Sequence, residues 1–194
     1  MIIYLVRHGE VDNPQDLTYA RLPGFPLSEQ GRESVAKMAQ AVFANKLVAA
    51  IYHSPLERTV ETAQVIQANM KSKPPLLADE RLLEINLVSL AGKPMAVMEQ
   101  TRVEEGIPGW YEKYVDEGYA DVQGRLMSLI QESQQLYPQQ EVIFVSHGDP
   151  IHLTLLALQG LSIEQFRRVN VRRSSVHEVR LNGKPKCRLL YEPS

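Results

Sequence analysis

The sequence is poor in cysteine and carries no excess of charge of either sign. Cys187 is the only cysteine among 194 residues, so no intrachain disulfide can form, and a reducing compartment is the expected environment. Lysine and arginine total 21 against 23 aspartate and glutamate residues, for a formal net charge of −2. A nucleic-acid partner is therefore not expected, and any attraction for an anion must be local.

Long hydrophobic runs are missing as well. No stretch reaches ~18 uninterrupted apolar residues, and no basic segment precedes the apolar start, so neither a membrane span nor a signal peptide is predicted. The chain shows no internal repeat, and its length suits one domain better than two. We expect a single cytoplasmic domain over residues 1–194 without a membrane partner, whereas its oligomeric state stays unknown from the sequence.

Apolar runs typical of buried strands recur along the chain, at 2–6, 48–52 and 142–145, the last preceded by Glu141. Helical periodicity falls between and after them, at 28–43, 54–68, 122–136 and 151–158. This alternation predicts an α/β fold, a three-layer α/β/α sandwich with a mainly parallel central sheet. Residues 176–181 and 186–191 flank an Asn182-Gly183 turn, which predicts an antiparallel hairpin added at the carboxyl end.

Helix starts are indicated by polar residues that can accept a hydrogen bond from the first turn. Ser28 is a predicted N-cap, Ser54 and Glu57 form a predicted capping box, and Asp149 is a third predicted cap. Segment 93–120 has a mixed pattern rich in aromatic residues. It suits either a variable lid over a site or the packing face of one or two short helices.

Polar side chains follow the predicted strands directly. Arg7 and His8 end the first strand, Arg58 follows the second, and His147 ends the later one. The carboxyl ends of parallel strands meet at one edge of a sheet, so we expect these groups to lie close together. A guanidinium beside an imidazole suits phosphoryl transfer, since arginine binds the oxygens while a neutral imidazole nitrogen attacks phosphorus.

Five short motifs in the same order resemble the histidine phosphatase superfamily, the phosphoglycerate-mutase-like fold: 5–10, 26–31, 54–63, 83–85 and 145–148. The resemblance implies that His8 is the nucleophile that becomes phosphorylated. It implies that Arg7, Arg58 and His147 hold the phosphoryl oxygens, and that Glu84 gives a proton to the leaving oxygen and then activates water.

The protonation states belong to the same prediction. The attacking nitrogen of His8 must be unprotonated, so its other nitrogen is expected to donate to a main-chain carbonyl. His147 is expected to be protonated, and a phosphate dianion together with apolar neighbours should raise the pKa of Glu84. Ser54 is interpreted as a cap rather than a nucleophile. Three further histidines are interpreted as structural: His53, His152 and His177.

The predicted activity is that of a metal-independent phosphomonoester hydrolase with no cofactor and no metal ligands, acting on a small phosphorylated substrate. A phosphoprotein substrate also stays open. Two alternatives remain, a cofactor-dependent phosphoglycerate mutase and a non-catalytic phosphate-binding module. Departures from the family pattern fall in the expected substrate shell, so the substrate is not predicted. Further candidates for lining the pocket are Arg21, Arg102, Trp110 and Tyr111.

Overall fold

The computed structural model describes residues 1–193. Its six strands are β1 (Ile2–Arg7), β2 (Ala50–His53), β3 (Leu76–Ala78), β4 (Glu141–Ser146), β5 (Val176–Arg180) and β6 (Lys186–Tyr191). They form one sheet in the order β3-β2-β4-β1-β5-β6. The strands from β3 to β1 pair in parallel, and β5 and β6 are antiparallel. The predicted α/β fold with a mainly parallel sheet and an antiparallel carboxyl-terminal hairpin is confirmed.

Five α-helices surround the sheet: α1 (Glu29–Val42), α2 (Glu57–Ala68), α3 (Met95–Tyr114), α4 (Tyr119–Leu136) and α5 (Gly148–Gln159). Two short 3-10 helices cover Glu80–Leu82 and Ile163–Arg168. Ser28 caps α1 as predicted, because its hydroxyl accepts a 2.9 Å hydrogen bond from the Gly31 N–H. Among the helices of residues 1–193, none combines the length and the apolar character that crossing a bilayer would require.

Strands β1, β2 and β4 bury both of their faces, which is why their apolar runs are nearly continuous. Successive side chains of a strand point to opposite sides of the sheet. In β1, Ile3 and Leu5 pack with residues of α4 and α5, whereas Tyr4 and Val6 pack with residues of α1 and α2. Two helical layers therefore enclose the sheet, and the central strand β1 carries its terminal polar residues into the middle of the molecule.

The structure corrects two predicted helix starts. Helix α2 begins at Glu57, with Leu56 rather than Ser54 in the N-cap position. Helix α5 begins at Gly148, so Asp149 lies inside its first turn and His147 occupies the N-cap position. Ser54 lies two residues before the N-cap, and its hydroxyl contacts the Leu56 N–H at 3.4 Å and His147. Asp149 lies within its helix and pairs with Arg102. Both predicted caps are therefore wrong. The short strand β3 is also absent from the prediction.

Segment 93–120 forms α3 and the start of α4. Helix α3 bends at Gly106, whose φ of 68° lies outside the helical region. Trp110 and Tyr111 are buried against residues of α4 and α5, so this half of α3 is a packing face. These two aromatic residues do not line the cavity described below, whereas Met95 and Met98 in the first half of α3 do.

Gly31 marks a close approach between α1 and the segment after β1. A Cβ atom there would lie 2.2 Å from the Glu10 carbonyl oxygen, whereas a Cβ at exposed Gly124 would meet nothing within 4 Å. Gly31→Ala is expected to lower the free energy of unfolding by about 1–3 kcal/mol through overpacking. Gly124→Ala in α4 is expected to raise it by about 0.5–1 kcal/mol. Urea unfolding measures both, and equal shifts in the two variants would contradict the packing.

Candidate active site

His8 follows the last residue of β1 and is buried, with 1% of its surface exposed. Its Nδ1 lies 2.7 Å from the Gly9 carbonyl oxygen. A carbonyl can only accept, so Nδ1 carries the proton and Nε2 keeps its lone pair. Burial, and then the positive charges of Arg58 and Arg7, hold the pKa of His8 well below its usual range. The ring is therefore neutral and presents an unprotonated nitrogen, as the sequence predicts.

His147 comes from the end of β4, the strand paired with β1. The register matches Arg7 with Ser146, so the two following histidines are neighbours, and their ring centroids are 5.2 Å apart. Arg58 Nε donates to His147 Nδ1 at 3.2 Å. The proton must then sit on Nε2, which lies 3.0 Å from the Ser54 hydroxyl.

This bonding contradicts two expectations. Burial, followed by the charge of Arg58, keeps the pKa of His147 well below its usual range, so the ring is neutral rather than protonated. Ser54 does not close a capping box, because its hydroxyl faces His147 from across the fold. A serine directly after a strand occurs both in helix caps and in polar clusters at strand ends. The sequence pattern around Ser54 therefore wrongly predicts a capping box.

Two arginines bring the positive charge of the site. Arg58 is buried in the first turns of α2, where its Nη2 donates to the Ala20 carbonyl at 2.7 Å and its Cζ lies 4.8 Å from the Tyr19 ring centroid. Arg7 Nη1 donates to the Val171 carbonyl at 2.8 Å, and its buried Nε has no partner within residues 1–193. Gly148 leaves space for Arg7, since a Cβ there would lie 3.1 Å from the Arg7 Cζ.

Glu84 follows the 3-10 turn Glu80–Leu82 and is anchored through its backbone. Its carbonyl accepts a 2.6 Å hydrogen bond from Arg21 Nε, and its Oε1 accepts one of 2.9 Å from the Ile85 N–H. Burial, and then the negative charge of Asp149, raises the pKa of Glu84 to about 7. The carboxyl is therefore suited to give and to take a proton near neutral pH.

Asp149 and Arg102 form an ion pair that sequence reasoning missed. Arg102 Nη2 lies 2.6 Å from Asp149 Oδ1, and its Cζ lies 4.3 Å from the Trp110 ring centroid. Burial alone would raise the pKa of Asp149, but the Arg102 charge outweighs it and lowers that pKa. Asp149 is thus held ionised as a fixed charge. Neighbouring Glu84, with its raised pKa, can retain a proton and act as the acid–base group.

A cavity of about 500 Å³ opens onto this site and is lined by Arg7, Glu84, Arg102 and Asp149 among others. His8, Arg58 and His147 are buried behind this lining rather than part of it. The charges of Arg7 and Arg58 act on both His8 and Glu84. The structure thus brings together all five residues that the resemblance implies. Arg21 does not line the cavity, because its guanidinium holds the Glu84 carbonyl and pairs with Glu117.

The three remaining histidines are not part of the His8–His147 pair. His53 Nδ1 bonds the Ser54 carbonyl at 2.9 Å, and His177 is buried. His152 lines the cavity and stacks on Phe166 with centroids 4.0 Å apart, so it lies closer to the site than its structural interpretation suggests. Within residues 1–193, no three histidine, cysteine, aspartate or glutamate side chains are grouped to hold a metal ion.

Comparisons with known proteins identify the family of this chain. The family model of the histidine phosphatase superfamily (branch 1) matches residues 3–191. The uncharacterized protein Rv0525 of Mycobacterium tuberculosis is 33% identical over 165 residues, covering 81% of this chain and 78% of the relative. Phosphoserine phosphatase 1 of Hydrogenobacter thermophilus is 31% identical over 175 residues, covering 84% and 79%.

Solved structures show the same fold. YhfR of Bacillus stearothermophilus superposes with a TM-score of 0.81 at 24% identity, covering 98% of this chain and 96% of that one. The family match extends over nearly the whole chain and includes the strand ends that carry the clustered residues. The chain therefore belongs to the histidine phosphatase superfamily and is an enzyme of that superfamily.

Proposed function

We propose that the protein is a metal-independent phosphomonoesterase that acts through a phosphohistidine on His8. One observation supports this proposal most strongly. His8 is neutral, with its Nδ1 proton held by a carbonyl, and the charges of Arg58 and Arg7 act both on it and on Glu84, whose pKa is about 7. Nucleophile, charge stabilisation and proton donor are then present in one site.

In the first step, His8 Nε2 attacks phosphorus and the bond to the ester oxygen breaks, while Glu84 gives its proton to that leaving oxygen. Arg7 and Arg58 stabilise the negative charge on the equatorial oxygens of the transferring group. The Nε2–H of His147 is bound to the Ser54 hydroxyl, and it becomes a third donor when a phosphoryl oxygen replaces that hydroxyl. The products of this step are an alcohol and phospho-His8.

In the second step, the ionised Glu84 takes a proton from a water molecule, and the resulting oxygen attacks phosphorus. The phosphorus–nitrogen bond breaks, inorganic phosphate leaves, and both His8 and Glu84 return to their starting states. Two fixed guanidinium groups supply the positive charge, so we expect turnover without an added divalent cation.

A panel of phosphomonoesters assayed for phosphate release in the presence of EDTA tests this proposal. We expect steady release from at least one ester at an undiminished rate in EDTA. A parallel assay on 3-phosphoglycerate, with and without a bisphosphoglycerate primer, separates hydrolysis from phosphoryl transfer. Primer-dependent isomerisation without phosphate release would replace the proposal with the mutase alternative, and loss of release in EDTA would contradict the metal-independent mechanism.

The charge of Asp149 gives a pH prediction. Asp149 raises the pKa of Glu84, whereas Arg58 and Arg7 lower it. Asp149→Asn removes the raising charge and leaves Arg102 uncompensated, so both changes lower the pKa of Glu84. A general acid must be protonated to act, so the basic limb of the kcat/KM profile should move to lower pH by about half a unit or more.

Glu141→Gln is a matched control, because that carboxylate pairs with Lys46 at the start of β4, the end of the strand opposite His147. Its kcat/KM profile should coincide with that of the unchanged protein. A basic limb that stays in place or moves to higher pH in Asp149→Asn would contradict the electrostatic coupling of Asp149 to Glu84.

A further inference from the structure

The segment before β5 is bound directly to the strand end that carries His8. The Ser174 N–H lies 3.2 Å from the Arg7 carbonyl oxygen and 3.1 Å from that of His8, and the Arg7 N–H donates to the Ser175 carbonyl at 3.2 Å. Ser174 adopts a left-handed φ of 58°. Together with the bond from Arg7 to the Val171 carbonyl, these contacts fix the backbone on both sides of Arg173.

Arg173 extends from this fixed segment into the wall of the cavity. Its charge acts on the nucleophilic strand, since it is one of the groups that lower the pKa of Arg7 and of His8. The side chain is exposed and has no ion pair or side-chain hydrogen bond within residues 1–193. Its guanidinium is therefore free to bind a ligand.

Two neighbouring arginines, Arg102 of the cavity and Arg172 of the same segment, do have carboxylate partners, whereas Arg7 is held by the Val171 carbonyl. Arg172 Nε lies 3.2 Å from Glu192 Oε1, and Arg102 lies 2.6 Å from Asp149. A guanidinium fork matches the geometry of a carboxylate or of a phosphate. The unpaired cation in the wall of the cavity therefore points to a counter-charge that arrives with the substrate.

The rest of the cavity favours one position for that counter-charge. At about 500 Å³, the cavity has room for a leaving group besides the phosphoryl group. Its other exposed charges are acidic, Asp16 and Glu99, on the segment before α1 and on α3. They repel an anion, so a second anionic group is directed to Arg173.

We propose that Arg173 binds a second anionic group, a carboxylate or a phosphate, on the leaving group of the substrate. This inference rests on the proposed phosphomonoesterase activity and adds the substrate class to it. Arg173 sets selectivity among esters, whereas His8, Arg7, Arg58 and Glu84 perform the transfer itself.

Matched aryl phosphates test the proposal. Phenyl phosphate carries no second anion. The ortho-, meta- and para-carboxyphenyl phosphates place a carboxylate at three different distances from the phosphoryl group, and hydroquinone bisphosphate carries a second phosphate. The measured quantity is the ratio of kcat/KM for each anionic ester to that for phenyl phosphate. We expect this ratio to fall about tenfold in Arg173→Gln, as expected for loss of a charge-assisted hydrogen bond, and to recover in part in Arg173→Lys.

Arg172→Gln is the matched control, since Arg172 is the adjacent exposed arginine but does not line the cavity. Its ratios should equal those of the unchanged protein. The ester whose ratio falls most in Arg173→Gln identifies the anion as carboxylate or phosphate. Ratios that are the same in Arg173→Gln and in the unchanged protein for every ester would overturn the role of Arg173. Absence of turnover on all the esters by the unchanged protein would instead overturn the phosphomonoesterase proposal.

Discussion

His8→Ala is expected to lower kcat for phosphomonoester hydrolysis by on the order of 10⁴-fold or more, because loss of a covalent nucleophile removes the whole two-step route. The ring is small and buried, and within residues 1–193 its side chain makes one hydrogen bond, to the adjacent Gly9 carbonyl. Its removal should leave the fold intact, and a thermal unfolding curve measured beside the assay verifies this. Phosphate release under saturating substrate gives the change in kcat.

His53→Ala is the matched control for that experiment. His53 is also buried at the end of a strand, and its Nδ1 likewise bonds the carbonyl of the next residue, Ser54, at 2.9 Å. The two substitutions therefore remove similar local interactions, but only His8 adjoins the cluster of His147, Arg7 and Arg58. We expect His53→Ala to retain kcat within a few-fold. A His8→Ala protein with kcat comparable to this control would contradict nucleophilic catalysis by His8.

Glu84→Gln is expected to reduce kcat/KM by roughly 10²–10⁴-fold for an alkyl phosphate, the usual contribution of a general acid. An alkoxide is a poor leaving group and needs the proton of Glu84. The 4-nitrophenolate ion leaves without protonation, so the loss with 4-nitrophenyl phosphate should be much smaller. Comparing kcat/KM for the two esters therefore isolates the acid role from any binding role.

Glu80→Gln is the control, because Glu80 is exposed and lies four residues earlier in the same segment. Its kcat/KM values for the alkyl phosphate and for 4-nitrophenyl phosphate should both match those of the unchanged protein. Equal losses for the alkyl and the 4-nitrophenyl ester in Glu84→Gln would show that Glu84 does not protonate the leaving oxygen. The pH profile gives a second comparison, since a pKa of about 7 places the basic limb of the unchanged enzyme near neutrality.

Much of the fold follows from local pattern. The apolar runs 2–6 and 142–145 predict β1 and β4 because strands buried on both faces need apolar residues at every buried position. The Asn182-Gly183 turn predicts the β5–β6 hairpin because its backbone conformation matches the twist of the strands. Arg7, His8 and His147 could be placed at one sheet edge because they directly follow such strands.

Other features depend on residues that are far apart in the sequence. The proton position on His147 is set by Arg58, 89 residues away, and by Ser54, 93 residues away. Asp149 resembles a helix cap, but it pairs with Arg102 across 47 residues. Local patterns cannot reveal such partners, since the tertiary fold decides which of several satisfactory hydrogen bonds a side chain makes.

The position of Arg173 in the cavity wall also depends on contacts with residues far away in the sequence. Four arginines occur between residues 167 and 173, and nothing in that pattern distinguishes the one that faces the cavity. That distinction depends on backbone hydrogen bonds in which the Ser174 N–H donates to the Arg7 and His8 carbonyls and the Ser175 carbonyl accepts from the Arg7 N–H. These bonds adjoin the pairing of β5 with β1. Chemistry at strand ends is therefore predictable, whereas substrate contacts on connecting segments are not.

The central claim is that His8 carries the phosphoryl group between the two steps. Rapid mixing with a hydrolysed ester, a quench under conditions that preserve phosphohistidine, and peptide mass spectrometry test it directly. We predict one phosphoryl group per chain during turnover, bound to His8 and absent from the His8→Ala protein. Phosphate release with no phosphoryl group on His8 at any mixing time, or with the group on another residue, would contradict the mechanism.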